Sequence, residues 1–436
     1  MTFPMGVQEI LLTLEQQGHE AYLVGGCVRD LLRGKVPFDW DITTSAQPQE
    51  VLTLFPNSIP TGLQHGTVTV KVQGETVEVT TFRADGAYAD HRHPAEVHFT
   101  RSLQEDLLRR DFTVNAMAMD RQGIIYDFYG GQEDLQQGIL RCVGDPDRRF
   151  GEDALRIMRA LRFASTLGFT VESNTAESLR KHRRDLSEIA AERICVEMTK
   201  LLCGQNVAEI LLQYPDVIGV FLPEILPCVG LEQHNPHHCY DVWGHTVHSV
   251  ASIAPEPVLR WAMLLHDLGK GSTFSQDEQG VGHFYGHGKA SVVLADGLAD
   301  RLRFSGEMRR QVVELVDWHD RDIPRTEKSI RRCLYHLGED GVRRLIAVKR
   351  ADNAAQHPDY QGRSVEMDKA ERILQDILDA DACFSLKQLA VNGNDLMELG
   401  LQGKAVGEML NHLLEQVIDG NLSNDKNVLL AQITKK

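Results

Sequence analysis

Two carboxylates one residue apart, Asp39 and Asp41 in Phe38-Asp39-Trp40-Asp41-Ile42, follow a Gly25-Gly26 pair that closes the short apolar stretch Ala21–Val24. On an extended strand alternate side chains share a face, so Asp39 and Asp41 are expected to point the same way. Carboxylates so placed repel unless cations lie between them. A pair of Mg²⁺ ions about 3.5–4 Å apart is what in-line phosphoryl transfer uses. Glu78, flanked by Val77 and Val79, is expected to face away from the core and to supply the third carboxylate, one that takes a proton from an attacking hydroxyl. The glycine pair leads from a strand into a helix, and the backbone N–H groups exposed there suit a triphosphate. Arg29, one turn further on, reaches the same anion. Taken singly, Asp-x-Asp is as readily a solvated loop, and Gly-Gly a structural turn.

Two arginine-rich segments belong with this chemistry. One is Glu105-Asp106-Leu107-Leu108-Arg109-Arg110-Asp111-Phe112-Thr113-Val114-Asn115-Ala116; the other runs from Phe150 to Phe163. The pattern predicts one helix over Glu152–Leu167, on which Asp153, Arg156 and Arg159 are successive i,i+3 neighbours within an arc of about 120°. Asp153 accepts from an exocyclic amino group and Arg156 donates to ring acceptors. Cytosine and adenine both offer an amino group beside a ring acceptor, and uracil and guanine do not offer that pair in the same orientation. Arg162 lies about 60° further round, where an RNA backbone contact or an ion pair is open to it. A solvent-facing, salt-bridged helix is the plainer alternative for the whole segment.

The histidines form a second constellation: His245, His266-Asp267, His287, His319 and Asp352. Neutral imidazole with carboxylate suits a first-row divalent cation that acidifies a bound water. His266-Asp267 ends an apolar stretch (Trp261–Leu265), and His319 follows another (Val312–Trp318). His234, His237, His238, His248 and His283 are assigned to surface or packing.

These groups need elements to hold them. A helical stretch (Val7–Gln17) precedes the strand Ala21–Val24, and His65–Val72 and Thr76–Phe82 alternate as an antiparallel hairpin turning at Gly74. From Asp145 onward apolar residues recur at helical spacing, in Glu192–Leu202 and Val207–Gln213 among others. Gln361–Ala380 reads as a linking helix and Leu386–Ile433 as a small helical unit. At 436 residues the chain exceeds one ordinary core. No apolar run approaches the roughly 20 residues that span a bilayer, and the N-terminus lacks the pattern of an export signal. Eight cysteines without a CxxC pair predict reduced thiols and a cytoplasmic setting. A net charge of −16 argues against a generally basic nucleic-acid binder. Arg141–Arg184, however, holds ten Lys/Arg against six Asp/Glu, and an RNA end needs only a local basic surface.

Gly25-Gly26-Cys27-Val28-Arg29-Asp30, Asp39-Trp40-Asp41, the run from Leu108 to Met119 and that from Glu152 to Phe163, in this order, resemble the signature motifs of bacterial class II tRNA nucleotidyltransferases of the polymerase-β superfamily. The segment Gln388–Ile433 is similar to the tail of the same family. The resemblance implies a multidomain chain: an α/β polymerase-β-like head (1–145), then a mostly α-helical neck (146–226), an inserted HD domain (227–365) and a helical tail (366–436). It implies that Gly26 and Arg29 contact the nucleotide, that Asp39 and Asp41 bind Mg²⁺, and that Arg110 binds phosphate. Asp153 and Arg156 then select CTP or ATP, with Arg159 and Arg162 completing the nucleotide site, and the acceptor is the 3′ end of tRNA. Poly(A) polymerases share these head motifs and usually carry basic extensions; here residues 424–436 are short and mildly basic. The histidine set resembles the HD phosphohydrolase superfamily. That likeness implies a divalent metal, of identity not readable from sequence, on His245, His266, Asp267 and Asp352, with His287 and His319 on a second metal or a phosphate. A silent HD fold serving as an RNA-binding body is the alternative. The polar stretch Arg83–Glu96 reads as an exposed loop whose movement lets the base selector switch from cytosine to adenine, which favours addition of all of CCA over CC or A alone.

Overall fold

The computed structural model describes residues 3–85, 97–322, 325–380 and 382–433. Two compact units account for the chain, Met1–Pro223 and Glu224–Lys436. The expected head and neck therefore share one unit, and the expected HD and tail regions the other.

Among the described residues of the first unit, the strands up to residue 127 are, in chain order, β1 (Ala21–Val24), β2 (Asp41–Thr44), β3 (Ser58–Gly62), β4 (Thr67–Val72), β5 (Glu75–Thr81), β6 (Arg83–Asp85), β7 (Val97–Phe99), β8 (Met117–Met119) and β9 (Ile125–Asp127), and a short parallel pair, Ile139–Leu140 with Thr170–Val171, follows. Seven of them form one sheet in the order β3-β4-β5-β2-β1-β8-β9. The pair β2/β5 is parallel and the others are antiparallel. The expected hairpin is present with Val72 opposite Glu75, and Gln73 and Gly74 both take positive φ (50° and 84°). Two successive residues of that hand match the right-handed strand twist.

The helix Met5–Gln16 presents Val7, Ile10, Leu11 and Leu14 at the spacing of one helical face. It buries them on Leu23, Ile42, Val68, Val70, Val77 and Val79. A second cluster, with Val24, Phe82, Leu107, Ala116 and Ala118, packs around the motif segments.

Three expectations change. The strand predicted over 38–42 begins only at Asp41, and Asp39 precedes it. The helix predicted over Glu152–Leu167 is two helices, Pro146–Glu152 and Leu155–Leu167, with Asp153 extended between them (φ −143°, ψ 104°). The physical reason lies in Asp153 itself. Its Oδ1 accepts the Leu155 N–H at 3.0 Å, and a short acidic side chain that bonds nearby backbone competes with the helix ladder. Finally, the stretch after Phe82 is not irregular at its ends, because β6 and β7 pair antiparallel; residues 86–96 of the expected loop lie outside the described residues.

The second unit is mostly helical. The helices Val242–Ser252, Pro257–Leu265, His287–Arg301 and Gly306–Trp318 pack with a long helix, Glu327–Ala354, kinked at Gly338 where φ is 69°. Ser364–Asp379 follows, close to the expected linking helix, and Asn392 caps the helix Gly393–Glu398 of the terminal unit. Among the described residues no helix is long and apolar enough to cross a membrane, and the cysteines are free.

Candidate active sites

Strand β2 sets Asp41 directly opposite Glu78 of β5. Val77 and Val79 are buried while Glu78 is exposed, so the alternation read from the sequence holds. Trp40 turns into the core, and Asp39 on its other side is exposed. Asp41, Glu78, Arg83, Arg109 and Arg110 line a cleft of about 210 Å³ with Val24 and Thr67. Burial raises the Asp41 carboxyl to about 6, with the negative charges of Glu78 and Asp39 adding to the rise and Arg110 opposing it. Asp41 therefore feels both other carboxylates, in a cleft that Arg83, Arg109 and Arg110 also line.

The glycine turn carries out its close approach. Gly25 has φ +79°, and a Cβ there would lie 3.3 Å from the Arg110 guanidinium and 4.0 Å from Asp41 Oδ2. Gly26 opens the helix Gly26–Leu32, whose Arg29 is buried and donates to Asn115 Oδ1 at 2.7 Å and Asp30 at 2.9 Å.

Two buried carboxylates that the sequence did not single out hold the arginines in place. Asp106, fully buried, accepts from Arg109 at 2.9 and 3.0 Å and from Arg110 at 3.3 Å. It also accepts from the Thr43 hydroxyl at 3.0 Å. Burial alone would raise its pKa, but Arg109 and Arg110 hold it below the usual carboxylate range. Asp111 accepts Arg159 Nε at 2.8 Å and Asn115 Nδ2 at 3.2 Å. Its carboxyl is likewise held well below the usual range against the opposing effect of burial, chiefly by Arg159. Arg29, Asn115, Asp111 and Arg159 thus form one chain of hydrogen bonds from the glycine turn to the helix Leu155–Leu167. The opposite charges side by side in Arg109-Arg110-Asp111 were the available signal for Asp111. Nothing in the sequence pointed to which arginine it holds.

The group expected to select the base is assembled differently from expectation. Arg156 is buried, with Nη1 on Glu152 Oε2 (2.7 Å) and Arg149 O (3.0 Å) and Nη2 on Arg109 O (3.1 Å). Asp153 lies not against Arg156 but 3.5 Å from Arg193 Nη2. Arg162 takes the ion pair left open for it, with Glu197 at 2.6 Å, and its guanidinium lies 3.6 Å from the Phe163 ring centre.

In the second unit the histidine set converges. His245 and Asp352 touch at 2.8 Å, and His266 lies 3.3 Å from Asp267 and 3.6 Å from Asp352. His287 and His319 approach the other oxygen of Asp267 at 3.5 and 3.8 Å. His245, His266 and Asp267 form one group able to hold an ion, and Asp267, His287 and His319 another.

Each imidazole turns Nδ1 to a backbone carbonyl: Ala355 for His245, Met263 for His266, Phe284 for His287 and Val316 for His319. Outer partners of this kind fix the tautomer and leave Nε2 as the ligand atom. The Nε2 atoms of His266 and His319 are buried without a hydrogen-bond partner. Burial disfavours a charged His266, yet Asp267 and Asp352 raise it to about 10, whereas burial and then His266 bring His319 down to about 4. The carboxylates therefore call for a cation while His319 stays neutral. This donor set fits a divalent metal.

The cavity over these groups measures about 500 Å³, and Lys270, Arg321, Arg325, Lys349 and Arg363 are among its lining. His238 and His283, assigned from sequence to surface or packing, line it too. His238 packs edge-on against His245, and burial lowers it to about 3.

With both sites described, comparison with known proteins separates the possibilities. The chain is 36% identical over 433 residues to the CCA-adding enzyme of Levilactobacillus brevis, covering 98% of this chain and 96% of that relative. The chain belongs to the CCA-adding enzyme family.

The family model described as the poly A polymerase head domain matches residues 21–141. A probable RNA and SrmB-binding site of polymerase A matches 168–227, and a putative tRNA nucleotidyltransferase domain 2 matches 291–433. The CCA-adding enzyme of Oceanobacillus iheyensis is 52% identical over 218 residues, and the chain spans about half (54%) of that relative's length. In structure, the Bacillus stearothermophilus CCA-adding enzyme in complex with CTP superposes with a TM-score of 0.76 at 31% identity, covering 100% of this chain and 98% of that one. The Thermotoga maritima CCA-adding enzyme complexed with tRNA shares the fold, with a TM-score of 0.59, 19% identity and coverage of 98% and 94%.

Proposed function

We propose that this CCA-adding family member adds cytidine twice and then adenosine to the 3′ end of tRNA, from CTP and ATP, without a nucleic-acid template. The observation that carries the reading is the Asp39–Asp41–Glu78 cluster beside Arg110 and the Gly25-Gly26 turn, in a chain similar along nearly its whole length to CCA-adding enzymes. The 3′-hydroxyl attacks the α-phosphorus of the triphosphate, a phosphodiester bond forms, and pyrophosphate leaves. Glu78 takes the hydroxyl proton, Arg110 and Arg29 hold phosphate oxygens, and Asp153 with Arg156 reads the base. Asp39 and Asp41 would hold two Mg²⁺ ions, which when bound would supply Lewis acidity at the reacting phosphate. For Arg156 to reach a base it must leave Glu152, which makes nucleotide entry an exchange of charge partners. Incubation with tRNA lacking CCA, labelled CTP and labelled ATP, followed by sequencing of the 3′ end, tests the proposal; no incorporation rejects it. Deletion of Gly86–His93 should leave tRNA ending in CC, and equal slowing of C and A addition removes the loop from the switch.

A second reading concerns residues 227–365: this region is a metal-dependent HD phosphohydrolase. The unpartnered Nε2 atoms of His266 and His319 support it. His245, His266, Asp267 and Asp352 would hold a divalent metal, and His287 and His319 with Asp267 a second one. A metal there would supply a Lewis acid that lowers the pKa of water toward neutral. Lys270 and the arginines lining the cavity bind the phosphate. Release of phosphate from simple phosphoesters with Mg²⁺, Mn²⁺, Co²⁺ or Ni²⁺ tests this; no release with any of them makes the region a silent body.

A further inference from the structure

Arg193 lies in the first turn of the helix Ala191–Leu202 and had no part in the sequence reading. Its Nη2 stands 3.5 Å from Asp153 Oδ2, while Asp153 Oδ1 accepts from Leu155 N–H at 3.0 Å. The carboxylate is therefore held from two sides by two different elements. The other terminal nitrogen of Arg193, Nη1, is buried and has no hydrogen-bond partner. Buried donors of this sort are rare in folded proteins and ask for a ligand or another cause.

The neighbouring arginines do not share this feature. Arg156 has both terminal nitrogens bonded, to Glu152, Arg149 and Arg109. Arg159 grips Asp111 through Nε and Nη2, and Arg162 grips Glu197. Of the four, Arg193 alone combines contact with Asp153 and an unmet buried terminal N–H.

We propose that Arg193 is a specificity-determining residue of the nucleotide pocket: Nη2 orients Asp153, and Nη1 donates to an acceptor on the edge of the incoming base. This rests on Asp153 being the base selector. An acceptor on Asp153 beside a donor on Arg193 complements an amino group beside a ring nitrogen, the arrangement on cytosine and adenine. Uracil and guanine would set a carbonyl oxygen against the Asp153 carboxylate. The guanidinium fork is needed because a lysine ammonium keeps the charge but cannot orient the carboxylate and reach the base from fixed positions at once.

The test uses the full chain and tRNA lacking its 3′ end, with kcat and KM measured separately for CTP and UTP. Variants are Arg193→Met, Arg193→Lys, Asp153→Ala and the double variant Asp153→Ala/Arg193→Met. In Arg193→Met the CTP/UTP ratio of kcat/KM should fall at least tenfold, with KM for tRNA unchanged. Arg193→Lys should lose at least threefold and recover part of the methionine defect. The double variant should discriminate no worse than Asp153→Ala alone. A folded Arg193→Met with an unchanged ratio overturns the proposal, as does a further drop in the double variant. If the methionine variant fails to fold, a lysine variant with wild-type discrimination overturns it instead. Wild-type protein that adds no CMP, or an Asp153→Ala variant that stays selective, would reject the underlying reading of the site rather than the role of Arg193 alone.

Discussion

The two sites solve the problem of concentrated charge in opposite ways. Around the glycine turn nearly every arginine already has a carboxylate or backbone partner: Arg110 on Asp106, Arg156 on Glu152, Arg159 on Asp111 and Arg162 on Glu197. The atoms left over there are single guanidinium nitrogens, Arg110 Nε and Arg193 Nη1, whereas the histidine site leaves ligand atoms without partners and turns them toward one buried carboxylate, Asp267. The first arrangement suits a substrate that changes between turnovers, because each ion pair can be exchanged for a phosphate or a base edge. The second suits a resident cation, whose absence costs desolvation at buried polar atoms. Strength of pre-pairing is thus a guide to whether a site holds a passing ligand or a fixed one.

The largest effect should come from the carboxylates of the first site. Asp39→Asn or Asp41→Asn should lower nucleotide addition by more than about a hundredfold, beyond what outer-shell changes to a metal site usually cost. Phosphoester hydrolysis by the second unit should be unchanged. Loss of both activities in a folded variant would end the comparison, since the sites would not be independent.

The reciprocal change comes next. His266→Ala or Asp267→Ala should remove metal-dependent hydrolysis and lower bound metal measured by elemental analysis, with CCA addition spared. Retained metal at wild-type stoichiometry would show that the unpartnered imidazoles are not the ligands.

A smaller, more selective effect belongs to Asp153→Ala. Selection of CTP over UTP should relax by roughly ten- to a hundredfold, more than triphosphate binding weakens, because a hydrogen-bonding reader discriminates through the unmet groups it leaves with the wrong base. A variant that loses most activity but stays strictly selective on the remainder would assign Asp153 to structure.

The smallest effect is on stability. The Asp111 carboxyl titrates below its ordinary value because Arg159 holds it ionised. A depressed carboxylate pKa gives stability that is complete above the unfolded value, roughly 3.9, and is lost as pH falls through and below it. Thermal melts between pH 6 and pH 3 should show a steeper acid-side loss for the wild type than for Asp111→Asn. Parallel curves would mean that the hydrogen-bond chain from Arg29 to Arg159 contributes little.

Much of the head was legible because its signals are local. The alternation Val77-Glu78-Val79 determined which way Glu78 faces, and the run Val7 to Leu14 determined a buried helix face. Gly25 marked a close approach that a Cβ would crowd. The histidine set was legible as residue types in order. His238 does pack, edge-on against His245, but that it also lines the cavity over the histidine site was not legible, since the cavity gathers segments far apart in sequence.

The chain by itself determined the inventory: three carboxylates, a glycine turn, an arginine-rich segment and six metal-suited side chains, with the periodicities that place most of them on strands or helices. Tertiary structure decided the pairing. Asp153 leaves the helix because its own side chain bonds Leu155 N–H and because Arg193, forty residues on, attracts its other oxygen. Asp106 and Asp111 take particular arginines because burial makes an unpaired carboxylate costly, and only the folded neck brings Arg159 to Asp111. Periodicity reports which face a residue occupies; which opposite charge it meets there depends on elements that sequence order does not bring together.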